Sequence, residues 1–332
     1  MIQEALDLAQ NLQSKIEANL SSNEKVFHAK MQKLLNNPKN KVMLIELLDR
    51  SFRCEDKCAS FALIEYTLNK YGIADFFNAF EKFLLFSFLH LGKLAPKLSV
   101  PFFISRLRDD TKTMVLDANT KTLEPHIKKR KNKHNITLNV NLIGEEVLGE
   151  AESKYRMQKY EDALRSSYIT YISIKITTIF SQINIMDFEY SKNAVVKRLD
   201  YLYNIAKQEQ EKQGVQKFIN LDMEEFRDLE LTVAAFMESI AKFDIKAGIV
   251  LQAYIPDSYE YLKKLFAFSK QRVQKGMRPI KIRFVKGANL ESEATIASQK
   301  GWTLPTFSKK IDTDSNYNKM LDFILDGDNY KY

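Results

Sequence analysis

The chain has 332 residues, 45% apolar and 28% charged, the balance of a globular protein rather than a disordered one. With only 10 glycines and 7 prolines, it is poor material for a turn-rich all-β fold. The net charge of +8 is concentrated in the run Lys128-Lys129-Arg130-Lys131-Asn132-Lys133, and the absence of interleaved aromatics there argues against a nucleic-acid groove.

The opening residues show neither the charged segment nor the apolar core of a secretory signal. The most apolar stretch, 83–91, is far shorter than a membrane span, so the expectation is a soluble, cytoplasmic protein, at most peripheral at the inner face of a membrane. Residues 1–130 read as a helical N-terminal region, with Leu44, Leu47 and Leu48 recurring at helical spacing. Phe76, Phe77, Phe80, Phe83, Leu84 and Phe88 predict a phenylalanine-rich helix buried in a core. Pro96 and Pro101 predict an extended connection after it, and the basic run at 128–133 reads as a solvated loop. Cys54 and Cys58 have no histidines near them in sequence and read as reduced thiols rather than metal ligands.

From 131 onward the pattern changes. Short apolar runs predict strands at 138–143, 172–176, 218–221, 249–253 and 280–285. Amphipathic helices separate them, one carrying Ala194, Val195, Leu199, Leu202 and Ala206. Asp257 and Glu260 predict a capping box on the helix after Pro256, and residues 329–332 read as the start of a sixth strand. Strand alternating with helix implies parallel strands joined by crossovers. A doubly wound sheet fits this alternation, but no glycine-rich phosphate turn follows any strand, which favours a barrel. The expected architecture is therefore α/β: a partial (β/α)8 TIM-like barrel of about five βα units over 131–332, preceded by the all-helical region 1–130.

Polar residues end or follow those strands: Glu145, Lys175, Asp222, Gln252 and Arg283. Barrels place their chemistry at such positions. Charges gathered there must pair with one another or with a charged ligand, and two cations suit an anionic one. None of His28, His90, His126 and His134 falls at a strand end, and no metal-binding motif occurs, which favours redox chemistry carried by a cofactor over hydrolysis.

The run Ile280-Lys281-Ile282-Arg283-Phe284-Val285-Lys286-Gly287-Ala288 resembles the fifth barrel strand of proline dehydrogenases, including those within the bifunctional proline utilization A proteins. The segments ending Gly144-Glu145, Ile174-Lys175, Leu221-Asp222-Met223-Glu224-Glu225 and Leu251-Gln252-Ala253-Tyr254 follow the same family in order. The resemblance implies FAD-dependent oxidation of L-proline to Δ1-pyrroline-5-carboxylate, with hydride passing to the flavin and electrons then to a membrane quinone. It implies that Lys175 binds the proline carboxylate and that Asp222 and Arg283 are catalytic, Arg283 lying beside the hydride-accepting flavin nitrogen. Met223, Gln252, Lys286, Gly287 and Ala288 would hold FAD, and Glu145 would pair as a gate with an arginine of a later helix. Asn289 stands where many members carry tyrosine.

The family's sixth strand and its arginine-bearing last helix are expected beyond Tyr332. The resemblance thus reads as a C-terminally truncated form with little or no activity alone, missing or once fused to a pyrroline-5-carboxylate dehydrogenase domain. The alternative is a non-catalytic regulatory or DNA-binding fragment of the same family. The opening residues lack the strand that a ribbon-helix-helix segment needs, so nucleic acid is not an expected partner.

Overall fold

Residues 2–54, 56–111, 116, 118–142 and 147–332 are described in the computed structural model. The chain divides into two units, Met1–Asp117 and Ala118–Tyr332.

The first unit is built from helices α1 (Ile2–Asn19), α2 (Ser22–Asn36), α3 (Pro38–Arg53), α4 (Lys57–Tyr71), α5 (Ala79–Leu91) and α6 (Pro96–Thr111). Side chains start several of them. Ser21 and Glu24 form a reciprocal capping box on α2, Asn78 and Glu81 do the same on α5, and Asn37 caps α3 with Pro38 in its first turn. Met43 and Leu47 of α3, Phe61, Ile64 and Leu68 of α4, and Val100 and Phe103 of α6 bury against Leu85 and Phe88 of α5. Phe88 anchors this core, with ring centroids 5.0 Å from Phe61 and 4.8 Å from Phe103.

The phenylalanine-rich helix is only half buried. Phe76 and Phe77 precede α5, and within it Phe80 and Phe83 are each 64% exposed, because a helix buries one stripe at a time and here that stripe holds Glu81, Leu85 and Phe88. The extended connection at Pro96 and Pro101 is in fact α6. Pro96 opens that helix, where its missing N–H forfeits no bond, and Pro101 lies within its early turns.

The second unit begins with α7 (Thr120–His134), so the basic run is the end of a helix rather than a loop, and residue 130 lies inside it. Cations in a last turn suit the helix dipole, Asn135 closes the helix at φ 50°, and Lys128 pairs with Glu124 at 2.6 Å. Strands β1 (Val140–Asn141), β2 (Tyr171–Ile174), β3 (Phe218–Leu221), β4 (Lys246–Gln252) and β5 (Lys281–Val285) form one parallel sheet in the order β1-β2-β3-β4-β5. The connections carry α8 (Glu150–Arg165), α9 (Ile176–Ile179), α10 (Phe188–Gln213), α11 (Leu229–Ile240) and α12 (Ser258–Gln274), and α13 (Leu290–Lys300) and α14 (Lys310–Leu325) follow β5. The long gap between the second and third strands is filled by the 26-residue α10.

A doubly wound sheet reverses its strand order partway, whereas this one never does. With right-handed crossovers, such an order puts every intervening helix on one face. The register agrees. Ile174, Leu221 and Ile249 share a row and are fully buried, as are Leu199 and Leu202 of α10, Phe236 of α11 and Leu262 of α12. The alternate residues, Ser173, Asn220, Gly248 and Lys281, form a row on the opposite face. This is the arc of a (β/α) barrel after a helical N-terminal region.

Two buried cations pin the N-terminal ends of the strands. Lys217, before β3, donates to the carbonyls of Ser166 at 2.5 Å and Ile169 at 2.6 Å. Arg272 of α12 donates to the carbonyls of Phe243 at 3.0 Å and Arg278 at 3.2 Å, and also to Ile240. Two local expectations fail. Asp257 precedes α12 in a helical conformation and makes no side-chain cap, so no capping box forms. Residues 329–331 are a turn of 3-10 helix rather than a strand, and Ser269 donates to the carbonyl of Tyr332. Among the described residues, no helix is long and apolar enough to cross a membrane.

Burial alone would raise the Glu81 carboxyl, but hydrogen bonds from Lys30, at 2.8 Å, and from the Asn78 backbone outweigh it and hold it below the usual value. A depressed folded pKa gives stability that is present above the unfolded value and lost as pH falls through the folded one. Glu81→Gln should therefore lower stability by about 1 kcal/mol at neutral pH, with the difference shrinking progressively as pH falls below the unfolded value of about 4.3, as read by urea unfolding across that range.

Candidate active site

The face of the sheet away from the helices carries the polar rows. The row Asn141, Ser173, Asn220, Gly248 and Lys281 lies under a second set that includes Asp222 after β3 and Arg283 of β5, the latter in register with Val250. Arg283 Nη2 donates to Asp222 Oδ1 at 3.0 Å. The same oxygen accepts from Asn220 Nδ2 at 2.6 Å and from Ser173 Oγ at 3.3 Å, while Asn141 Nδ2 reaches Oδ2 at 3.3 Å. Four strands thus send donors to one carboxylate.

Burial raises the Asp222 carboxyl above its usual value, while Arg283, the Ser173 hydroxyl and Lys175 pull it down and Glu224 pushes it up. A carboxyl raised in the folded state contributes most below its unfolded pKa and loses that contribution as pH rises through the folded one. The ionised form is kept in place by the donors around it.

Lys175, at the end of β2, forms an ion pair with Glu224. Glu224 is itself held by its backbone, whose carbonyl accepts from Gln252 Nε2 at 2.8 Å, Asn289 Nδ2 at 3.2 Å and the Tyr254 hydroxyl at 3.5 Å. Met223 is buried beside this junction in the chain. Lys286 turns outward to Asp314 of α14 at 2.5 Å, and Asp314 also takes Lys310 at 2.5 Å. Gly287 has φ +118°, and a Cβ there would run into the ring of Tyr254. Ala288 is exposed.

The structure therefore gathers Asp222, Arg283 and Lys175 at the C-terminal ends of the strands, with Met223 and Gln252 beside them and Lys286, Gly287 and Ala288 at the rim. Glu145 and Gly144 lie outside the described residues. Sequence reasoning missed Asn141, Ser173, Asn220 and Glu224. The first three are polar residues at alternate strand positions, two before Lys175 or Asp222 in the cases of Ser173 and Asn220, and that period was the available signal. A cavity of about 740 Å³ opens at the other end of the strands, where Lys281 lies 5.4 Å from the Tyr171 ring and 5.3 Å from that of Phe218. The ionisable groups converge at the C-terminal end, the one at which barrels carry chemistry, and volume alone does not relocate the site.

Among the described residues, the buried polar atoms at that end without a partner include Arg283 Nε, Thr306 Oγ1 and Thr177 Oγ1. Thr306 precedes Phe307, whose N–H donates to the carbonyl of Tyr254 at 2.8 Å. Uncommitted donors beside a charged pair and a glycine backbone fit a polar, planar cofactor better than they fit a closed apolar core.

The fold is that of a barrel protein, a class that carries its chemistry at the C-terminal ends of its strands. The chain matches the family described as Proline dehydrogenase over residues 123–332, and it belongs to that family. Among solved structures, proline utilization A from Corynebacterium freiburgense is 37% identical with a TM-score of 0.63, covering 70% of this chain and 24% of its own. Proline utilization A from Bdellovibrio bacteriovorus, inactivated by N-propargylglycine, is 23% identical with a TM-score of 0.75, covering 97% of this chain and 33% of its own. A Bradyrhizobium japonicum proline utilization A mutant shares the fold at 20% identity and a TM-score of 0.54, over 93% of this chain and 32% of its own. The chain thus spans between about a quarter and a third of the length of these relatives. No curated protein sequence matches it.

Gly287→Ala should destabilise the protein by about 2 kcal/mol or more, since both the backbone conformation and the Tyr254 ring oppose it. Gly276→Ala, at φ +76° with open space around the position, should cost only about 1 kcal/mol. Urea unfolding of the two variants separates the collision from the backbone term.

Proposed function

We propose that this chain serves the FAD-dependent oxidation of L-proline to Δ1-pyrroline-5-carboxylate. The observation that carries the reading is the Asp222–Arg283 pair, 3.0 Å apart and flanked by the Lys175–Glu224 pair, at the strand ends of a proline dehydrogenase family barrel. FAD, when bound, supplies the hydride acceptor. Lys175 neutralises the substrate carboxylate as a point charge. Arg283, held on one side by Asp222, would stabilise negative charge on the bound cofactor through its guanidinium. Met223, Gln252 and the Lys286-Gly287-Ala288 segment hold the flavin, and the glycine lets the backbone come close.

Two finer elements belong to the same proposal. Electrons leave to a membrane quinone, reached by peripheral association, and the relatives' fused architecture extends to this protein. The outer edge of β5 has no further strand among the described residues.

Binding is tested apart from turnover. Quenching of flavin fluorescence should show FAD binding that weakens at least tenfold, by the order of one charge-assisted hydrogen bond, in Arg283→Gln. Bleaching of the bound flavin by anaerobic L-proline should need at least about tenfold more L-proline in Lys175→Met, with FAD affinity unchanged. An Arg283→Gln variant that binds FAD as the parent does would overturn the assignment.

A further inference from the structure

Asp222 rests on a buried layer of amides and a hydroxyl to which the reaction assigns no part. Asn220, two residues back along β3, donates from Nδ2 to Asp222 Oδ1 at 2.6 Å and to Ser173 Oγ at 3.2 Å. Asn139, just before β1, donates to Ser173 Oγ at 2.8 Å, and the Ser173 hydroxyl in turn donates a hydrogen bond to Asp222 Oδ1 at 3.3 Å. Asn220 and Ser173 are fully buried.

The direction of these bonds is forced. A carboxylate accepts and cannot donate, so the Asn220 amide must present its nitrogen to Asp222 and its oxygen elsewhere. Among the described residues that oxygen is buried without a partner, and so is Oδ1 of Asn139. A barrel interior is ordinarily filled at such a layer by branched apolar residues, which leave nothing unpaired. Here two amide oxygens go unsatisfied while two amide nitrogens and a hydroxyl are all directed, one through another, at a single carboxylate. Its charged neighbours are Arg283 from β5, Lys175 at the end of β2 and Glu224 after β3, with the hydroxyls of Tyr171 of β2 and Tyr160 of α8 also in electrostatic reach. From β4 the residue in register with Arg283 is the uncharged Val250.

Resting on the flavin and proline reading of the site, we propose that Asn220, backed by Ser173 and Asn139, is a positioning residue that keeps Asp222 ionised and oriented, so that Arg283 is gripped at Nη2 and the rest of its guanidinium is presented in a fixed orientation. Removing a donor to the charged form favours the neutral acid. A neutral Asp222 releases its hold on Arg283, which acts directly on the cofactor in this reading.

The test is the titration of Asp222 in the protein without flavin or substrate, by carbon NMR after selective labelling of aspartate, with Asp222→Asn identifying the resonance. Asn220→Leu should raise the Asp222 midpoint by about one pKa unit, and Ser173→Ala should raise it by less, while both variants keep a cooperative melting transition. A midpoint unchanged in a folded Asn220→Leu overturns the proposal. Where that variant does not fold, an unchanged midpoint in Ser173→Ala does so. Because no flavin takes part, failure of the cofactor reading shows itself separately, as absence of FAD binding in a protein whose Asp222 midpoint still moves.

Discussion

Four of the five strands are tied to one carboxylate. Asp222 takes Arg283 from β5, Ser173 from β2, Asn220 from its own β3 and Asn141 from β1. Each donor lies on the face that the helices leave bare. A carboxylate this buried is unfavourable unless several donors compensate it, and here the compensation comes from residues far apart in the chain. The interaction therefore depends on the sheet's register as much as on any single side chain. A slip of one residue in any strand would send its donor to the helical side.

Register in turn is set from the opposite end. Lys217 ties the start of β3 to the carbonyls of Ser166 and Ile169, and Arg272 ties α12 to the carbonyls that precede and follow β4. Both cations are buried, and burial pulls both below their usual values. Long basic side chains serve here as multivalent donors for loop carbonyls that no helix or strand satisfies. The floor of the sheet is thus rigid where its opposite end carries the ionisable pairs, a division of labour usual in barrels.

Much of this was legible in the sequence. The third strand was readable residue for residue, because an apolar run between Lys217 and Asp222 leaves little latitude. The strand-end residues Lys175, Asp222, Gln252 and Arg283 stand where the alternation put them. Other features were hidden for physical reasons. Whether Asp257 caps a helix depends on its backbone angles, which here are already helical. Pro101 looked like a break, yet a proline near a helix start removes a single bond. The phenylalanines of α5 were all apolar and so carried no sign of which stripe turns inward. Glu224 matters through its backbone carbonyl as well as its carboxylate, and residue type says nothing about a carbonyl.

That carbonyl has a consequence for whatever arrives at Lys175. Three side chains, from Gln252, Tyr254 and Asn289, hold the Glu224 peptide against rotation, so its carboxylate can leave Lys175 only by turning about its own side-chain bonds. An incoming ligand meets a lysine that already has an anion. Binding is then an exchange of one carboxylate for another, and its free energy is the difference between two ion pairs rather than the whole of one. A neutral molecule would offer nothing in return for the displaced glutamate, whereas the carboxylate of the proposed substrate would replace it nearly like for like. Selectivity of this kind is gained by lowering affinity for everything, and most of all for ligands without a negative charge.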